Sequence, residues 1–277
     1  MNSEVLSTER DEDVATLWLD RPQARNAMGQ AFWADLPVAM AELSNDRSVR
    51  AVVIAAKGPH FSVGLDLKQM GAMLAGGDLS PDAPRRSKAG QAQQARGEVV
   101  RMQASISAVA DCPKPVIAAI HGYCIGGGVD LISACDIRIA SADAVFSVRE
   151  TKMAIVADLG SLQRLPRIIG AGHVAELAYT GKDITAQRAR EIGLVNDVAA
   201  DADACLKAAN AIAHEIASNS PLAVQGTKSV LQAADRKAIA EGLDYVAVWN
   251  SGFLQSDDLT EAVTAFIEKR SPKFTGN

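Results

Sequence analysis

The chain has 277 residues, of which 48% are hydrophobic and 22% are charged, and its formal net charge is -5. A chain of this length can bury a sizeable core, and the composition is that of an ordinary globular protein. The acidic balance argues against nucleic acid as the main partner, because phosphate binding requires a basic face. No apolar run reaches the roughly 18 residues that span a bilayer, so no membrane partner is expected.

Apolar runs rich in β-branched residues predict the strands of a sheet, and helical spacing predicts the elements between them. The predicted strands are residues 15–19, 51–55, 116–120, 137–140 and 145–148. The predicted helices of the same part of the chain are residues 26–43, 90–110 and 129–134. This arrangement predicts an α/β fold in which pairs of strands precede a helix, a repeated ββα unit.

The pattern becomes entirely helical after residue 196. Four helices are predicted there, at residues 201–218, 221–234, 236–253 and 259–269. We therefore expect a core domain over residues 1–198 and a smaller helical region over residues 199–277, which packs on the core and on other subunits. Residues 73–88 contain glycines and prolines and predict a polar loop, either a simple connector or a flap over a substrate.

The cysteines, the amino-terminal residues and the histidines bear on redox state, cellular location and metal binding, respectively. Cys112, Cys124, Cys135 and Cys205 form no CxxC pair and are expected to be buried thiols. The first residues lack the apolar segment of a secretory signal, so a cytoplasmic location is expected. The four histidines show no metal-ligand spacing, and no metal is expected.

Residues 120–131, with the sequence IHGYCIGGGVDL, lead an apolar strand into three glycines and then into a predicted helix. Glycines let another group approach the backbone closely, and a helix start offers unpaired N–H groups and a positive dipole end. Such a junction suits a developing negative charge. The run does not match the dinucleotide or P-loop glycine patterns. The structural alternative is a tight packing junction.

A second junction of the same kind follows the strand at residues 51–56, where residues 60–67 read HFSVGLDL. Two such junctions can direct two N–H donors at one oxygen. A thioester carbonyl held by two amides becomes a stabilised enolate when a base removes its α-proton.

These two stretches resemble the crotonase (enoyl-CoA hydratase/isomerase) superfamily. The resemblance continues through LDRPQARNAM at residues 19–28, DIRIA at 136–140, QRLPR at 163–167 and FIEKR at 266–270. It implies a spiral of ββα units with a helical C-terminal trimerisation region, an acyl-CoA thioester substrate, and assembly as a homotrimer or homohexamer. It implies no cofactor, since coenzyme A is part of the substrate.

The resemblance also assigns site residues. It places the oxyanion hole at the backbone N–H groups of Leu65 and Gly127. It places the contacts with coenzyme A, largely through backbone, at Ala24, Arg25, Ser62, Val63, Gly64, Asp66 and Phe274, with Lys273 beside the last.

The carboxylates indicate the reaction. Hydratases of this superfamily use two glutamates, whereas this chain has Asp130 and Glu150 at those positions. Asp158 stands where hydratases typically have glycine. The trio of Asp130, Glu150 and Asp158 resembles the dienoyl-CoA isomerases, which convert 3,5-dienoyl-CoA to 2,4-dienoyl-CoA. In this interpretation Glu150 takes the C2 proton, Asp158 donates a proton at C6, and Asp130 tunes the site.

Two other functions are compatible with the sequence. An enoyl-CoA hydratase would use Asp130 and Glu150 to add water to a 2-enoyl-CoA. A non-catalytic member would only bind acyl-CoA or RNA. Taken singly, each carboxylate also has a structural interpretation: Asp130 as an early-helix acid, Glu150 as a surface charge, and Asp158 as the cap of a helix starting near Gly160.

Overall fold

The fold was analysed in a computed structural model, which describes residues 3–69 and 87–277. A six-stranded sheet has the order β1-β2-β3-β4-β6-β9, antiparallel at the β1–β2 hairpin and parallel elsewhere. Its strands are β1 (Leu6–Asp11), β2 (Val14–Leu19), β3 (Ala51–Ala56), β4 (Val116–Ile120), β6 (Ile137–Ser141) and β9 (Asp197–Ala199). A smaller sheet has the order β5-β7-β8, formed by β5 (Tyr123–Ile125), β7 (Val145–Ser147) and β8 (Ile184–Thr185).

Helices follow the strand pairs and then form the C-terminal part. They are α1 (Gln30–Asn45), α2 (Lys88–Ala110), α3 (Gly127–Ser133), α4 (Ser161–Ile168), α5 (Ala171–Thr180), α6 (Ala186–Glu191), α7 (Ala202–Ala217), α8 (Pro221–Ala233), α9 (Arg236–Phe253) and α10 (Asp257–Glu268). Short 3-10 turns occupy Pro22–Ala24 and Glu150–Met153. The order β4–β5–α3 and then β6–β7–α4 places one strand in each sheet before each helix, so the predicted spiral of ββα units is confirmed.

The large sheet is buried on both faces, because its side chains alternate between two apolar clusters. Val52, Ile54 and Ala56 of β3 face the main core, while Ala51 and Val53 face α7. Helix α7 covers this second face with side chains four residues apart, Cys205, Ala209, Ala213 and Ala217. The helical C-terminal part thus begins by completing the core of the α/β part. The domain boundary at residue 198 stays a prediction.

The predicted helix over residues 26–43 begins later, at Gln30. Arg25 and Asn26 have φ values of 52° and 53°, which no α-helix accommodates. The sequence also did not predict β1, β5, β8 and β9. β1 is a polar edge strand that pairs with the adjacent β2 and lacks an apolar pattern. The other three strands are short, and their pairing depends on partners distant in the chain.

Three further predictions concern the loop at residues 73–88, membrane-spanning helices and the cysteines. The predicted flap at residues 73–88 falls outside the described residues except for Ser87 and Lys88, which begin α2. Among the helices of residues 3–69 and 87–277, none has the length and apolar character needed to cross a bilayer. All four cysteines are buried and none is in a disulfide.

Candidate active site

The two glycine junctions lie side by side. Ser62 forms a parallel bridge with Cys124, and Ile125 N donates to Ser62 O at 3.0 Å. Beyond this bridge, a Cβ on Gly127 would lie 3.7 Å from the Cα of Gly64, the residue before Leu65. The pairing of two strand ends, which the sequence could only suggest, therefore brings the two predicted oxyanion segments together.

The approach between the junctions requires glycine at residue 64. Gly64 has a φ of +81°, and a Cβ there would lie 2.7 Å from Ile125 O and 3.1 Å from Gly127 N. An L-residue at this position would be strained by its backbone and would also collide with the neighbouring chain. The close contact of the two loops is thus built into the sequence.

The amides of Leu65 and Gly127 are available to a ligand. Met28 N donates to Gly64 O at 2.8 Å and Asp66 N donates to Met28 O at 3.0 Å, so the intervening Leu65 N–H points away from Met28. Gly127 is the first residue of α3, whose N–H has no intrahelical acceptor. Within the described ranges, no acceptor in the chain takes either N–H. The predicted role of these amides as the oxyanion hole stays a prediction.

Buried side chains hold the loops at this junction. Asn26 Nδ2 donates to Lys57 O at 2.9 Å and to His60 O at 2.8 Å, while Asn26 Oδ1 accepts from Arg21 N at 2.9 Å. Ser62 Oγ donates to Asn26 O at 2.8 Å. The Ser62 side chain is therefore engaged in the loop itself, as an anchor beneath the site.

A cavity of about 820 Å³ opens beside the paired junctions. From the predicted set it is lined by Ala24, Arg25, Val63, Gly64, Leu65, Asp66, Gly127, Asp130, Glu150 and Asp158. The lining also includes the apolar side chains of Trp33, Val99, Met102 and Leu254, which suit an acyl chain. The volume is that of a site for a large organic ligand.

Ser62 and Phe274 lie outside the lining of this cavity in the described part of the chain. Phe274 is exposed, next to Thr275, whose N–H donates to Asp258 Oδ1 at 2.7 Å. The C-terminal segment is thus bound to α10. Contact between Phe274 and coenzyme A stays a prediction.

Asp66 helps to shape the cavity wall. Burial acts to raise the pKa of Asp66, but a hydrogen bond from Arg21 at 2.6 Å and the amides of Gln69 and Lys68 outweigh it and lower that pKa. The charged Asp66 carboxylate therefore fixes the loop that carries Leu65.

Glu150 lies at the start of a 3-10 turn, directly beside the glycine run. Its Oε1 would be 3.4 Å from a Cβ on Gly126. Its Oε2 is buried and has no hydrogen-bond partner in the residues that the structure describes. Burial first, and then the charge of Asp130, raise the pKa of Glu150 to about 8. An unpartnered carboxylate next to a thioester site has the features of a general base.

Asp158, the last of the three carboxylates in the chain, lines the same cavity. Burial raises its pKa to about 7, against a hydrogen bond from Asn250 Nδ2 to Asp158 Oδ2 at 2.6 Å. The N-cap position of α4 belongs to Gly160 and has no side-chain capping bond. Asp158 is therefore not the cap of that helix, and its carboxyl group remains directed at the site.

Asp130 is the most deeply buried of the three carboxylates. Its Oδ1 accepts from Ser161 N, the first amide of α4, at 2.6 Å. Burial raises the pKa of Asp130 to about 6, although Ser161 and the Arg164 guanidinium act in the opposite direction. Asp130 thus connects α3 to α4, and its charge is felt by Glu150.

The sequence did not single out Asn250, Gln103 or Arg164. Gln103 and Asn250 lie on helices that are 55 and 92 residues away from Asp158 in the chain, and Arg164 lies on the helix that follows its loop. No local sequence pattern marks these residues. Arg164 occurs within the QRLPR stretch but carried no assigned role. In residues 3–69 and 87–277, no group of three or more His, Cys, Asp or Glu side chains could hold a metal ion.

Comparison with known proteins agrees with this geometry. The family model described as enoyl-CoA hydratase/isomerase matches residues 9–277. The chain belongs to the enoyl-CoA hydratase/isomerase family. This confirms the crotonase resemblance and the fold that it implied.

Two relatives are named as dienoyl-CoA isomerases. The chain is 43% identical to "Delta(3,5)-Delta(2,4)-dienoyl-CoA isomerase, peroxisomal" of Arabidopsis thaliana, covering 98% of this chain and 96% of that protein. It is 45% identical to the mitochondrial protein of that name from Dictyostelium discoideum, covering 95% and 88%. A crystal structure of an enoyl-CoA hydratase/isomerase from Xanthobacter autotrophicus Py2 matches with a TM-score of 0.83 and 30% identity, covering 96% of this chain and 94% of that one.

The cytoplasmic location that the sequence predicted is wrong. The two isomerase relatives are named as a peroxisomal and a mitochondrial protein. The prediction rested on the lack of a recognisable signal, which is weak ground because family members in organelles share the same core sequence.

Proposed function

We propose that this chain is a Δ3,5–Δ2,4-dienoyl-CoA isomerase. The observation that carries the proposal is the convergence of three carboxyl groups on one cavity, from the buried Asp130 and the half-buried Glu150 and Asp158. They lie beside two amides for which the described residues supply no acceptor. The names of relatives at 43% and 45% identity agree with it.

In the proposed mechanism, the thioester oxygen of the substrate accepts hydrogen bonds from the N–H groups of Leu65 and Gly127. Glu150 removes a proton from C2, and the electron pair spreads over the thioester and both double bonds. Asp158 delivers a proton to C6, which moves the double bonds from C3 and C5 to C2 and C4. The two proton transfers balance, and the amides stabilise the charge between them.

The position of Glu150 supports its assignment as the base. Its Oε1 is next to Gly126, one residue before the Gly127 amide that would hold the thioester oxygen. C2 is bonded to the thioester carbon, so the carboxylate nearest the oxyanion site is the one that can reach C2. The acid at C6 must lie further along the cavity, which leaves Asp158.

The raised pKa values allow Glu150 and Asp158 to share one proton, which must pass from Glu150 back to Asp158 after each turnover. With pKa values of about 8 for Glu150 and about 7 for Asp158, the pair holds one proton near neutral pH. That proton lies mostly on Glu150, so the reactive arrangement, with Glu150 ionised and Asp158 protonated, is the less populated of the two. Below this window both groups are protonated and no base remains. Above it both are ionised and no acid remains, so the rate should fall on both sides.

The hydratase alternative is less well supported by the contacts of Asp130. A hydratase of this family would need Asp130 to act with Glu150 on a water molecule. Asp130 Oδ1 already accepts the Ser161 amide at 2.6 Å, and the residue is 1% exposed. The non-catalytic alternative gives no role to Glu150, whose buried Oε2 has no hydrogen-bond partner among the described residues. Burial of such an atom is unfavourable for stability.

The test is an assay of the purified protein with 3,5-dienoyl-CoA and with 2-enoyl-CoA. We expect the ultraviolet absorbance of a 2,4-dienoyl-CoA to appear with the first and little hydration of the second. The Asp158→Asn variant should lose isomerisation by about a thousandfold while retaining acyl-CoA binding. Hydration without isomerisation would favour the hydratase, and binding without turnover would favour the non-catalytic member.

We also propose that the chain assembles with copies of itself as a trimer or hexamer. Large apolar side chains are exposed on the C-terminal helices, among them Leu222, Val230 and Leu231 of α8 and Tyr245 and Phe253 of α9. Such a density of exposed apolar groups is typical of an interface. Light scattering after size exclusion should give a trimer or larger, and Leu231→Asp should shift the mass toward a monomer if α8 is buried between subunits.

A further inference from the structure

The loop that carries Asp158 is held by polar side chains from three different helices. Asn250 of α9 donates to Val156 O at 2.9 Å, Gln103 of α2 donates to Asp158 O at 2.7 Å, and Arg164 of α4 donates to Leu159 O at 3.3 Å. The three donors are all buried. They fix the backbone of the loop, since buried carbonyl groups require partners.

Asn250 differs from the other two, because it also reaches the carboxyl group itself. Its Nδ2 is 2.6 Å from Asp158 Oδ2. One N–H of the amide serves the loop backbone at Val156 and the other serves the carboxylate, so both donors are used. Asn250 is 2% exposed, so its amide has little contact with bulk solvent.

We propose that Asn250 is a positioning residue for Asp158, which aims the carboxyl group at the far end of the substrate and sets how readily it gives up its proton. The inference rests on the proposed isomerase function. A donor aimed at a carboxylate favours the charged form, and so opposes the burial that would keep the acid permanently protonated. Without the donor, Asp158 would hold its proton more tightly and would be a poorer acid.

Other charged groups lie near Asp158, but the Asn250 amide is the group that donates directly to its carboxyl group. Asp130 of α3 and Glu150 of the 3-10 turn face it across the cavity and act in the opposite direction, because like charges disfavour ionisation. Arg164 of α4 contacts the loop backbone and Ser107 Oγ at 3.2 Å. On α2 and α9, Arg96 pairs with Asp244 and Arg101 with Glu98, all at exposed or half-exposed positions.

The decisive variant is Asn250→Leu, which keeps the approximate shape of the side chain and removes both donors. We expect the alkaline limb of the kcat profile to move up by about one pH unit and kcat at pH 7 to fall at least tenfold, with KM changed less. The Asn250→Asp variant, with a second carboxyl at the contact, should move the limb further in the same direction.

Gln103→Leu is the matched control for the loop. This variant removes the hydrogen bond from Gln103 to the backbone oxygen of Asp158 and leaves the contacts of the carboxyl group intact. We therefore expect kcat to fall while the pH of the alkaline limb of the kcat profile stays unchanged. Gln232→Leu is the remote control, because Gln232 Nε2 bridges α8 to Ala110 O at 2.9 Å, an interhelical amide bond of the same kind. It should leave both kcat and the pH profile unchanged.

Infrared titration separates this inference from the proposed function, because it requires no turnover. The protonated-carboxyl band of Asp158, identified by its loss in Asp158→Asn, should titrate at higher pH in Asn250→Leu than in the native chain. Equal midpoints, or an unshifted band in Asn250→Asp, would overturn the positioning role even in an active isomerase. A shifted band in a protein without isomerase activity would support the role and overturn the function.

Discussion

The two halves of the site are built from different materials. The half that would hold the thioester oxygen consists of backbone amides at Leu65 and Gly127, and its shape follows from strand pairing and from Gly64. The half that would move protons consists of side chains on α3, a 3-10 turn and the loop before α4. The amide half has no titratable group and should be insensitive to pH. The carboxylate half depends on burial, and burial makes it both reactive and unfavourable for stability.

The largest effect is expected from Glu150→Gln. We predict that kcat falls by about a thousandfold or more, because the base at C2 is removed without a change of shape. The pKa of Glu150 is about 4.5 in the unfolded chain and about 8 in the folded chain. Its ionisation therefore does not affect the free energy of unfolding below about pH 4.5, and the folded chain loses stability as the pH rises from there through about 8. The variant should therefore be more stable than the native chain at pH 8, by about 1 to 3 kcal/mol.

Thermal unfolding at pH 5 and pH 8 checks this sign. The gain in stability of Glu150→Gln should be small at pH 5 and larger at pH 8. Glu241→Gln is the control, since Glu241 is exposed on α9 beside Lys237. A Glu150→Gln variant that is inactive and equally destabilised at both pH values would point to a structural role instead.

The second effect tests the amide half through Gly64→Ala. A Cβ at this position would meet Ile125 O and Gly127 N, and so would push the two amides apart. We predict a loss of about 100-fold in kcat, with an unchanged pH profile, because no titratable group is touched.

Gly170→Ala isolates the cause of that loss. Gly170 has a similar φ of +79° at the start of α5, but a Cβ there meets nothing within 4 Å. It should lower stability by about 1 kcal/mol through the backbone alone and leave kcat intact. If both glycine variants lose activity equally, the close approach at Gly64 is not what matters.

The smallest effect is expected from Asn26→Ala, which removes the side-chain bonds that hold the loops beneath Leu65. Three hydrogen bonds are lost, to Lys57 O, His60 O and Arg21 N. We predict a loss of about 2 to 3 kcal/mol in the free energy of unfolding and a decrease of about tenfold in kcat. Chemical denaturation measures the first. Asn219→Ala, which removes one exposed bond to Glu215 O, should change neither by much.

The sequence by itself determined the family, the ββα order and many of the residues that line the cavity, although Ser62 and Phe274 lie outside its lining. Glycine runs at strand ends and an aspartate in place of a glycine are local signals, because they reflect what the backbone and the reaction require at one position. The glycine-containing segments HFSVGLDL and IHGYCIGGGVDL could therefore be recognised from the sequence without any knowledge of contacts.

Only the tertiary structure decided how these segments meet and which distant residues support them. The pairing of Ser62 with Cys124, the bond from Ser161 to Asp130 and the contact of Asn250 with Asp158 join positions 62, 31 and 92 residues apart. Such contacts arise from the packing of whole helices and sheets, and no short stretch of sequence encodes them. The pKa of each carboxyl group depends on that packing, since burial is a property of the folded chain.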